Sequence, residues 1–435
     1  MSVLVVAVMT PESAVAAQTV SLIDSLSRTQ HVEVWTPKGQ DVRDLPCSHR
    51  EVDPFDPDLP AEARRFTHHV YVMAGNRAHA AIGRIARAVP GVVILHDVSL
   101  LEALKEDVRV QGGDTSDLID TVRALHGPLV ATRLELENVF PGTGTESPEL
   151  HQTAHAMPVF LNAATVVVTH SEWAAQRVRE VTATPVLVAR MPAEIYERRD
   201  TAAPAAGRDV PRPVVIPGIV NRHKMVSTAI AGFAQSGLAS QGHDLVVMGP
   251  CDARMEANLR LAARREGVEH ALRFAQPRRD EDFLDILASS LAVVSLREFN
   301  TEAQSAALLS GLLSGRPVIA SDDGAVRDLP DALLCKVSGD DIAGSVGRAL
   351  RSVAEGSVDV DAMTRAAGQW VREHHTLGGY LAVLDRAMQI HEQRFIEVGA
   401  IIEIADRLAE AGLLQAADAV GACADALDSL EPQTP

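Results

Sequence analysis

The sequence predicts an α/β protein of two domains, each built around a parallel β-sheet. The chain has 435 residues, of which 46% are hydrophobic, and this is enough for two separate cores. Short, mostly apolar strands alternate with segments of helical periodicity, as in parallel sheets covered by helices on both faces. The alternation restarts after residues 197–212, whose Pro, Gly, Ala and charged residues indicate a linker.

The first half of the chain contains six predicted strands with helices between them. The strands are short and rich in β-branched residues, at 3–8, 31–35, 69–73, 91–95, 165–169 and 185–189. Apolar residues at helical spacing predict helices at 14–27 and 78–88. We therefore expect a first domain at residues 1–196.

The second half repeats this alternation and ends in helices. Its predicted strands are 214–216, 243–248, 272–274, 291–296, 318–321 and 332–337, and its predicted helices are 227–235, 253–266, 281–289 and 342–354. A further small-residue helix is expected between 296 and 315. We expect a second domain at 213–365 and a C-terminal helical part at 366–435.

Helical spacing predicts four helices at the C-terminal end, at 360–373, 377–394, 396–411 and 414–430. The first of these is expected to cross back onto the first domain. The last two, which are amphipathic, are expected either to pack against the protein or to join two copies in a homodimer.

The composition excludes several classes of function. With 40 basic and 58 acidic residues, the formal net charge is −18, which argues against general binding of nucleic acid or of anionic membranes. No apolar run approaches the ~20 residues that span a bilayer, and the N-terminus lacks the pattern of a secretory signal. Four scattered cysteines form no C-x-x-C pair, so neither a zinc site nor a disulfide framework is expected. We expect a cytoplasmic protein.

Polar residues in the first domain follow predicted strands. The loop that contains Ser13 is either a phosphate-approaching loop or an ordinary turn between strand and helix. Gly75 and Asn76 end one strand, and His96 and Asp97 end the next. Such a His–Asp pair can orient or exchange protons with a substrate. The alternative is a structural histidine beside a helix-capping aspartate.

The first loop of the second domain combines a glycine with basic residues. Gly218 allows a tight turn, and Arg222 and Lys224 place cations at a helix start, where they could bind a diphosphate. The alternative is a pair of solvated basic residues.

A later loop of the same domain is acidic. Arg297, Glu298, Glu302 and Ser305 lie between an apolar strand and a small-residue helix. The carboxylates could hold sugar hydroxyls, or they could only favour the helix dipole.

Together these loops resemble the nucleotide-sugar glycosyltransferases of family 4, over approximately residues 1–395. The segment from Gly75-Asn76 to His96-Asp97 is similar to that of one bacterial branch. Leu296-Arg297, Ser305, Gly315-Arg-Pro-Val-Ile and Asp323-Gly324 match the same branch. The resemblance implies the GT-B fold, in which two Rossmann-like domains face each other across a cleft, with an extra helical C-terminal tail here.

The resemblance also implies roles for individual residues. Lys224 and Arg222 would neutralise the donor's diphosphate, and Glu302 or Glu298 would hold the donor sugar. Catalytic roles would fall to His96, Asp97, Lys224 and Glu302. Donor binding would involve Gly218, Arg222, Lys224, Phe274, Gln276, Glu298, Glu302, Gln304, Ser305 and Ser310. The acceptor side would comprise Ser13, Gly75, Asn76, His96 and Asp97.

Three positions depart from the broad family pattern. Ser310 stands where many relatives have a ribose-binding glutamate, Ile219 where many have an arginine, and Ala14 where a glycine is usual. The branch mentioned above often lacks that glutamate too.

The predicted function is therefore a retaining, metal-independent glycosyltransferase. It would move a sugar from a GDP- or UDP-linked donor to a small soluble acceptor in natural-product biosynthesis, with no other cofactor. The acceptor atom would be oxygen, or alternatively sulfur or nitrogen. Other interpretations are a sugar-nucleotide epimerase or phosphorylase, and a catalytically degenerate GT-B subunit that serves as a sugar-binding or partner scaffold.

Overall fold

The computed structural model describes residues 2–11, 13–139, 147–197, 210–277 and 279–410. These residues form two compact units. The first unit contains the described residues up to Met191, the short segment Thr301–Gln304 and the chain from Gly378 onwards. The second contains the described parts of Pro192–Asn300 and Ser305–Leu377.

The first unit is built on a seven-stranded parallel sheet in the order β3-β2-β1-β4-β5-β6-β7. Both neighbours of β1 pair with it in parallel, since Val3 lies opposite Val32 on one side and His68 on the other. The strands are β1 Ser2–Val6, β2 His31–Pro37, β3 Ser48–Val52, β4 His68–Met73, β5 Val92–Leu95, β6 Val166–Thr169 and β7 Val186–Val188.

Helices connect these strands, and five of the helices formed by the described residues lie between β5 and β6. The helices of this part of the chain are α1 Ala14–Ser27, α2 Leu59–Ala63, α3 Ala80–Ala88, α4 Leu101–Val110, α5 Thr115–His126, α6 Pro128–Val139, α7 Pro148–Thr153, α8 Met157–Leu161 and α9 Glu172–Arg179.

The second unit is built on a six-stranded parallel sheet in the order β10-β9-β8-β11-β12-β13. Its strands are β8 Val214–Pro217, β9 Leu245–Met248, β10 Leu272–Ala275, β11 Ala292–Ser295, β12 Val318–Ser321 and β13 Cys335–Val337. Its helices are α10 Val226–Ser236, α11 Ala253–Arg265, α12 Asp280–Ser289, α13 Ala306–Leu313, α14 Ile342–Ala354 and α15 Val360–His374. The last described helix, α16, spans Leu377–Glu410.

Alternating side chains of the central strand fill two cores in the first unit. Leu4 and Val6 belong to one core, and Val3 and Val5 to the other. All four are fully buried, as expected for a parallel strand that is covered on both faces. Leu384 of α16 belongs to the same core as Val3. The C-terminal helix therefore covers one face of this sheet.

The predicted class, with two parallel sheets, is confirmed. Strand β3 was not predicted because its sequence, Ser-His-Arg-Glu-Val, is polar and four of its five residues are exposed. The prediction of separate helices at 377–394 and 396–411 is wrong, since α16 is continuous and no Pro or Gly interrupts the chain between them. The helix predicted at 414–430 and most of the linker lie outside the described residues.

No helix in the described part of the chain is both long enough and apolar enough to cross a membrane.

Buried histidines join α16 to the sheet of the first unit. His69 on β4 and His391 on α16 are both fully buried. Nε2 of His69 donates to the Ala63 carbonyl oxygen at 2.8 Å, and Nδ1 of His391 lies 2.9 Å from the Thr165 hydroxyl. Burial lowers the pKa of both imidazoles, and that of His391 falls to about 3. Both rings are therefore neutral at neutral pH.

We predict that His391→Gln reduces the acid sensitivity of the fold. The folded-state pKa lies below the unfolded value of about 6.5, so the folded state binds fewer protons and loses stability as pH falls below 6.5. Between pH 7 and pH 5 one such group costs about 2 kcal/mol. Urea unfolding at both pH values should show a smaller loss for His391→Gln. The exposed control His49→Gln should keep the wild-type loss, and equal losses in both variants would contradict the prediction.

Candidate functional site

The strand order of each sheet contains one point at which the chain reverses direction across the sheet. In the first unit this point lies between β1 and β4, and in the second between β8 and β11. Ligands of open parallel sheets bind beyond the carboxyl ends of the strands at such a switch point. The loops that follow these strands are therefore where a site is expected in each unit.

The loop after β8 contains a buried lysine. Lys224 is 4% exposed, and its ammonium donates to the carbonyl oxygen of Pro217 at 2.5 Å. Gly218 has a φ of 92°, and a Cβ atom at this position would collide with the Lys224 ammonium. The absence of a side chain at Gly218 thus makes room for the cation beside the end of the strand.

The loop after β11 contacts the lysine loop directly. The backbone N–H of Glu298 donates to the carbonyl oxygen of His223 at 2.9 Å. Arg297, 8% exposed, donates to the carbonyl oxygen of Leu296 and to the hydroxyl of Ser305, at 3.0 and 3.3 Å. Ser305 is the N-cap of α13 but makes no side-chain bond to its first turn. This helix start lacks a side-chain cap from its own N-cap residue, as anion-binding helix starts often do.

In the second unit, the loops after β8 and β11 each contain a non-glycine residue whose backbone adopts the left-handed conformation. Met225 has a φ of 47° and Phe299 a φ of 48°, and the described residues contain one other such position, Ala156. These conformations cost of order 1–3 kcal/mol each and tend to occur at binding and catalytic sites. The two strained residues lie beside Lys224 and Glu298. They therefore indicate the same candidate site as the switch point of the sheet.

In the first unit, a hydrogen bond from a backbone N–H to a carboxylate joins the loops after β4 and β5. The N–H of Gly75 donates to Oδ2 of Asp97 at 2.7 Å, and the N–H of His96 donates to the carbonyl of Met73 at 2.8 Å. A Cβ atom on Gly75 would lie 2.5 Å from the backbone oxygen of Ser99. Only glycine permits this close approach.

The segment Thr301–Gln304 belongs to the first unit and pairs with the end of β5. Asp97 and Glu302 form an antiparallel bridge, and the N–H of Ala303 donates to the carbonyl of His96 at 2.8 Å. Burial raises the pKa of Asp97, the bond from the Gly75 N–H lowers it, and the charge of Glu302 raises it, with a net result of about 7. The structure thus brings the predicted residues His96, Asp97 and Glu302 together.

Several other predicted residues have local structural roles. The Ser13 side chain accepts a bond from the N–H of Ala16 and caps α1. Asn76 caps a short 3-10 helix by accepting from Ala78. The hydroxyl of Ser310 donates to the Ala306 carbonyl one turn earlier, at 3.0 Å, and the residue is 3% exposed. Binding roles for these three residues stay predictions.

Two of the predicted donor-binding residues, Phe274 and Gln276, lie at the edge strand of the second sheet. Phe274 is on β10, and the Arg260 guanidinium carbon lies 4.9 Å from the centre of its ring. Gln276 is exposed just beyond the strand, while Arg222 and Glu298 are exposed in the two loops described above. With neighbouring strands about 4.8 Å apart, β10 lies about 10 Å from β8.

No role was predicted for His170, which directly follows β6. Its Nε2 atom lies 3.1 Å from Nδ1 of His96 and its Nδ1 atom 2.9 Å from the carbonyl oxygen of Ala189. The signal that identified His96, a histidine immediately after an apolar strand, is also present at His170.

Within the described ranges, no three His, Cys, Asp or Glu residues are grouped so that they could hold a metal ion.

Solved structures with a similar fold include a sucrose-phosphate synthase, a glycosyltransferase and a protein solved with UDP and glucose. The sucrose-phosphate synthase of Thermosynechococcus elongatus has a TM-score of 0.62 and 14% identity, over 91% of this chain and 100% of that one. HepE of Anabaena, solved with UDP and glucose, has a TM-score of 0.60 and 10% identity, over 89% and 99%. WaaG, a glycosyltransferase involved in lipopolysaccharide biosynthesis, has a TM-score of 0.57 and 13% identity, over 90% and 99%.

These likenesses confirm the predicted GT-B fold. No protein-family model and no curated protein sequence matches this chain.

We predict that Asp97→Asn stabilises the protein at pH 8 but not at pH 4. The folded-state pKa of about 7 lies above the ordinary 3.8, so the stability that Asp97 contributes is lost as pH rises towards 7. Because Asp97 is half-buried, we expect a gain on the order of 1 kcal/mol after solvent screening. Urea unfolding at both pH values measures this gain in the free energy of unfolding, and the exposed Glu298→Gln serves as the control. A loss of stability at pH 8 would show that the carboxylate is favourable there.

We predict that Gly218→Ala destabilises the protein more than Gly267→Ala. Both glycines have positive φ, 92° and 76°, but only Gly218 has an atom within 4 Å of an added Cβ. Backbone strain should cost about 1–2 kcal/mol in each variant. Displacing the Lys224 ammonium from its carbonyl should add about 1.5–3 kcal/mol in Gly218→Ala. Equal unfolding free energies in urea would mean that the Lys224 bond contributes nothing.

Proposed function

We propose that the protein is a retaining glycosyltransferase of the family 4 type, which transfers a sugar from a nucleoside-diphosphate sugar to a small soluble acceptor. The observation that carries the proposal is the arrangement at the switch point of the second sheet. Lys224 and the start of α13 supply positive charge and N–H groups there, and the bond from Glu298 to His223 holds the two loops together. A diphosphate needs this combination of groups.

The reaction breaks the bond between the anomeric carbon of the sugar and the diphosphate oxygen. The electron pair of that bond passes to the diphosphate, and the acceptor oxygen forms a new bond to the anomeric carbon with retention of configuration. The acceptor proton passes to the leaving diphosphate. Lys224 and the helix N-terminus would stabilise the negative charge that develops on this leaving group, which supports a mechanism without a metal ion.

The carboxyl groups of Glu302 and Asp97 would hold sugar hydroxyl groups. The backbones of these two residues form a β-bridge, and a carboxyl group with a pKa near 7 can donate as well as accept a hydrogen bond. Phe274 and Gln276, about 10 Å from β8, would contact the base. A UDP-linked sugar is the first donor to test, because HepE was solved with UDP and with UDP-glucose.

The acidic surface, with a net charge of −18, favours a small soluble acceptor over an anionic lipid carrier. Such acceptors are typical of natural-product biosynthesis, and we propose that setting for this protein.

We predict that Lys224→Met weakens the binding of UDP at least tenfold, since the diphosphate loses a cation that no solvent molecule replaces equally well. Isothermal titration calorimetry with UDP and GDP measures the affinity. The exposed Lys38→Met is the matched control and should bind as the wild type does. Chromatography of UDP released from UDP-glucose then tests for turnover.

Unchanged affinity in a folded Lys224→Met variant would remove Lys224 from the donor site. If the wild type binds neither UDP nor GDP at millimolar concentration, the enzyme proposal is wrong and the scaffold interpretation takes its place.

A further inference from the structure

His96 and His170 form a buried pair at the carboxyl ends of β5 and β6. Their ring centres are 4.4 Å apart, and the residues are 9% and 1% exposed. The ring of Tyr380 on α16 stacks on His170, with 6.1 Å between the centres. The positions of both imidazoles are thus determined by packing, and a hydrogen bond of 3.1 Å joins them.

The hydrogen-bond partners determine which nitrogen of each ring carries the proton. A carbonyl oxygen only accepts, so Nδ1 of His170 must donate to Ala189. In a neutral imidazole the other nitrogen is then an acceptor. With the His170 ring neutral, Nε2 of His170 accepts, and Nδ1 of His96 carries the proton that it donates.

The consequence for His96 is a free lone pair on Nε2. The ring is neutral, because burial and the neighbouring His170 and His79 hold the pKa of His96 well below its usual value. A neutral ring with its proton on Nδ1 presents Nε2 as an acceptor only. This tautomer is the less common one for a free histidine side chain, so the protein must impose it.

We propose that His170 is a positioning residue that holds His96 in the Nδ1–H tautomer, so that Nε2 of His96 accepts a hydrogen bond from a sugar hydroxyl. The sugar ligand in this inference rests on the proposed function, whereas the tautomer of His96 does not. Acceptor capacity at His96 would complement the neighbouring Asp97, whose Oδ2 atom already accepts from Gly75. A hydroxyl group that both donates and accepts would match such a pair.

The tautomer can be observed directly by NMR of protein labelled with 15N-histidine, without any ligand. We expect the His96 spectrum to show a protonated Nδ1 and an unprotonated Nε2, with the resonances assigned by their loss in His96→Gln. A protonated Nε2 on His96 would overturn the proposal. A protonated Nε2 on His170 would overturn it too, because the bond between the rings would then run in the opposite direction.

Two variants of His170 separate positioning from simple packing. Asn places its amide nitrogen near the position of Nδ1, so His170→Asn keeps a donor to Ala189 but has no atom that reaches His96. Gln places its amide oxygen near Nε2, so His170→Gln can still accept from His96. We expect His170→Gln to keep the His96 tautomer and most of kcat. His170→Asn should lose the tautomer and at least tenfold in kcat, with little change in KM for the donor.

Binding of UDP, measured by calorimetry, should be unchanged in both variants, since the proposed diphosphate site belongs to the second unit. Absent UDP binding in the wild type would reject the proposed function while leaving the tautomer result intact. If both variants turn over equally while UDP still binds, the positioning role is wrong. Should either variant fail to fold, the wild-type spectrum alone still decides the tautomer.

Discussion

The direction of the strands is the constraint on which the rest of the structure depends. Every paired strand in the two described sheets is parallel to its neighbours, so the loops that follow the strands of one sheet all begin at one edge. Gly75, His96 and His170 follow three adjacent strands of the first sheet in this way. Side chains distant in sequence therefore meet, and their polar groups can form one hydrogen-bonded set.

The polar groups at these edges are costly to bury, and local contacts offset the cost. The Lys224 ammonium has the Pro217 carbonyl, and the Asp97 carboxyl has the Gly75 N–H. In each case a glycine leaves the space that the contact needs. Strained backbone at Met225 and Phe299 adds to the cost. A fold that served only stability would not need such positions, and the proposed binding of a polar ligand would account for them.

The central strands and the loops that follow them could be predicted from the sequence, because buried parallel strands are nearly continuous apolar runs. Elements whose residue types are not determined by burial could not be predicted, as the polar edge strand Ser48–Val52 shows. Nor could it reveal that Thr301–Gln304 belongs to the first unit, since this pairing depends on tertiary contacts. The tautomer of His96 likewise depends on His170 and Ala189, which lie 74 and 93 positions further along the chain.

An acidic protein that binds a nucleoside diphosphate must rely on short-range interactions. The net charge of −18 repels an anion at long range, but at physiological ionic strength this repulsion is screened beyond about 8 Å. Within that distance, a buried cation and the N–H groups of a helix N-terminus interact through a low local dielectric and are much less screened. Higher salt should thus weaken the unfavourable approach more than the favourable contacts. The local arrangement at Lys224, rather than the overall charge, then determines whether a diphosphate binds.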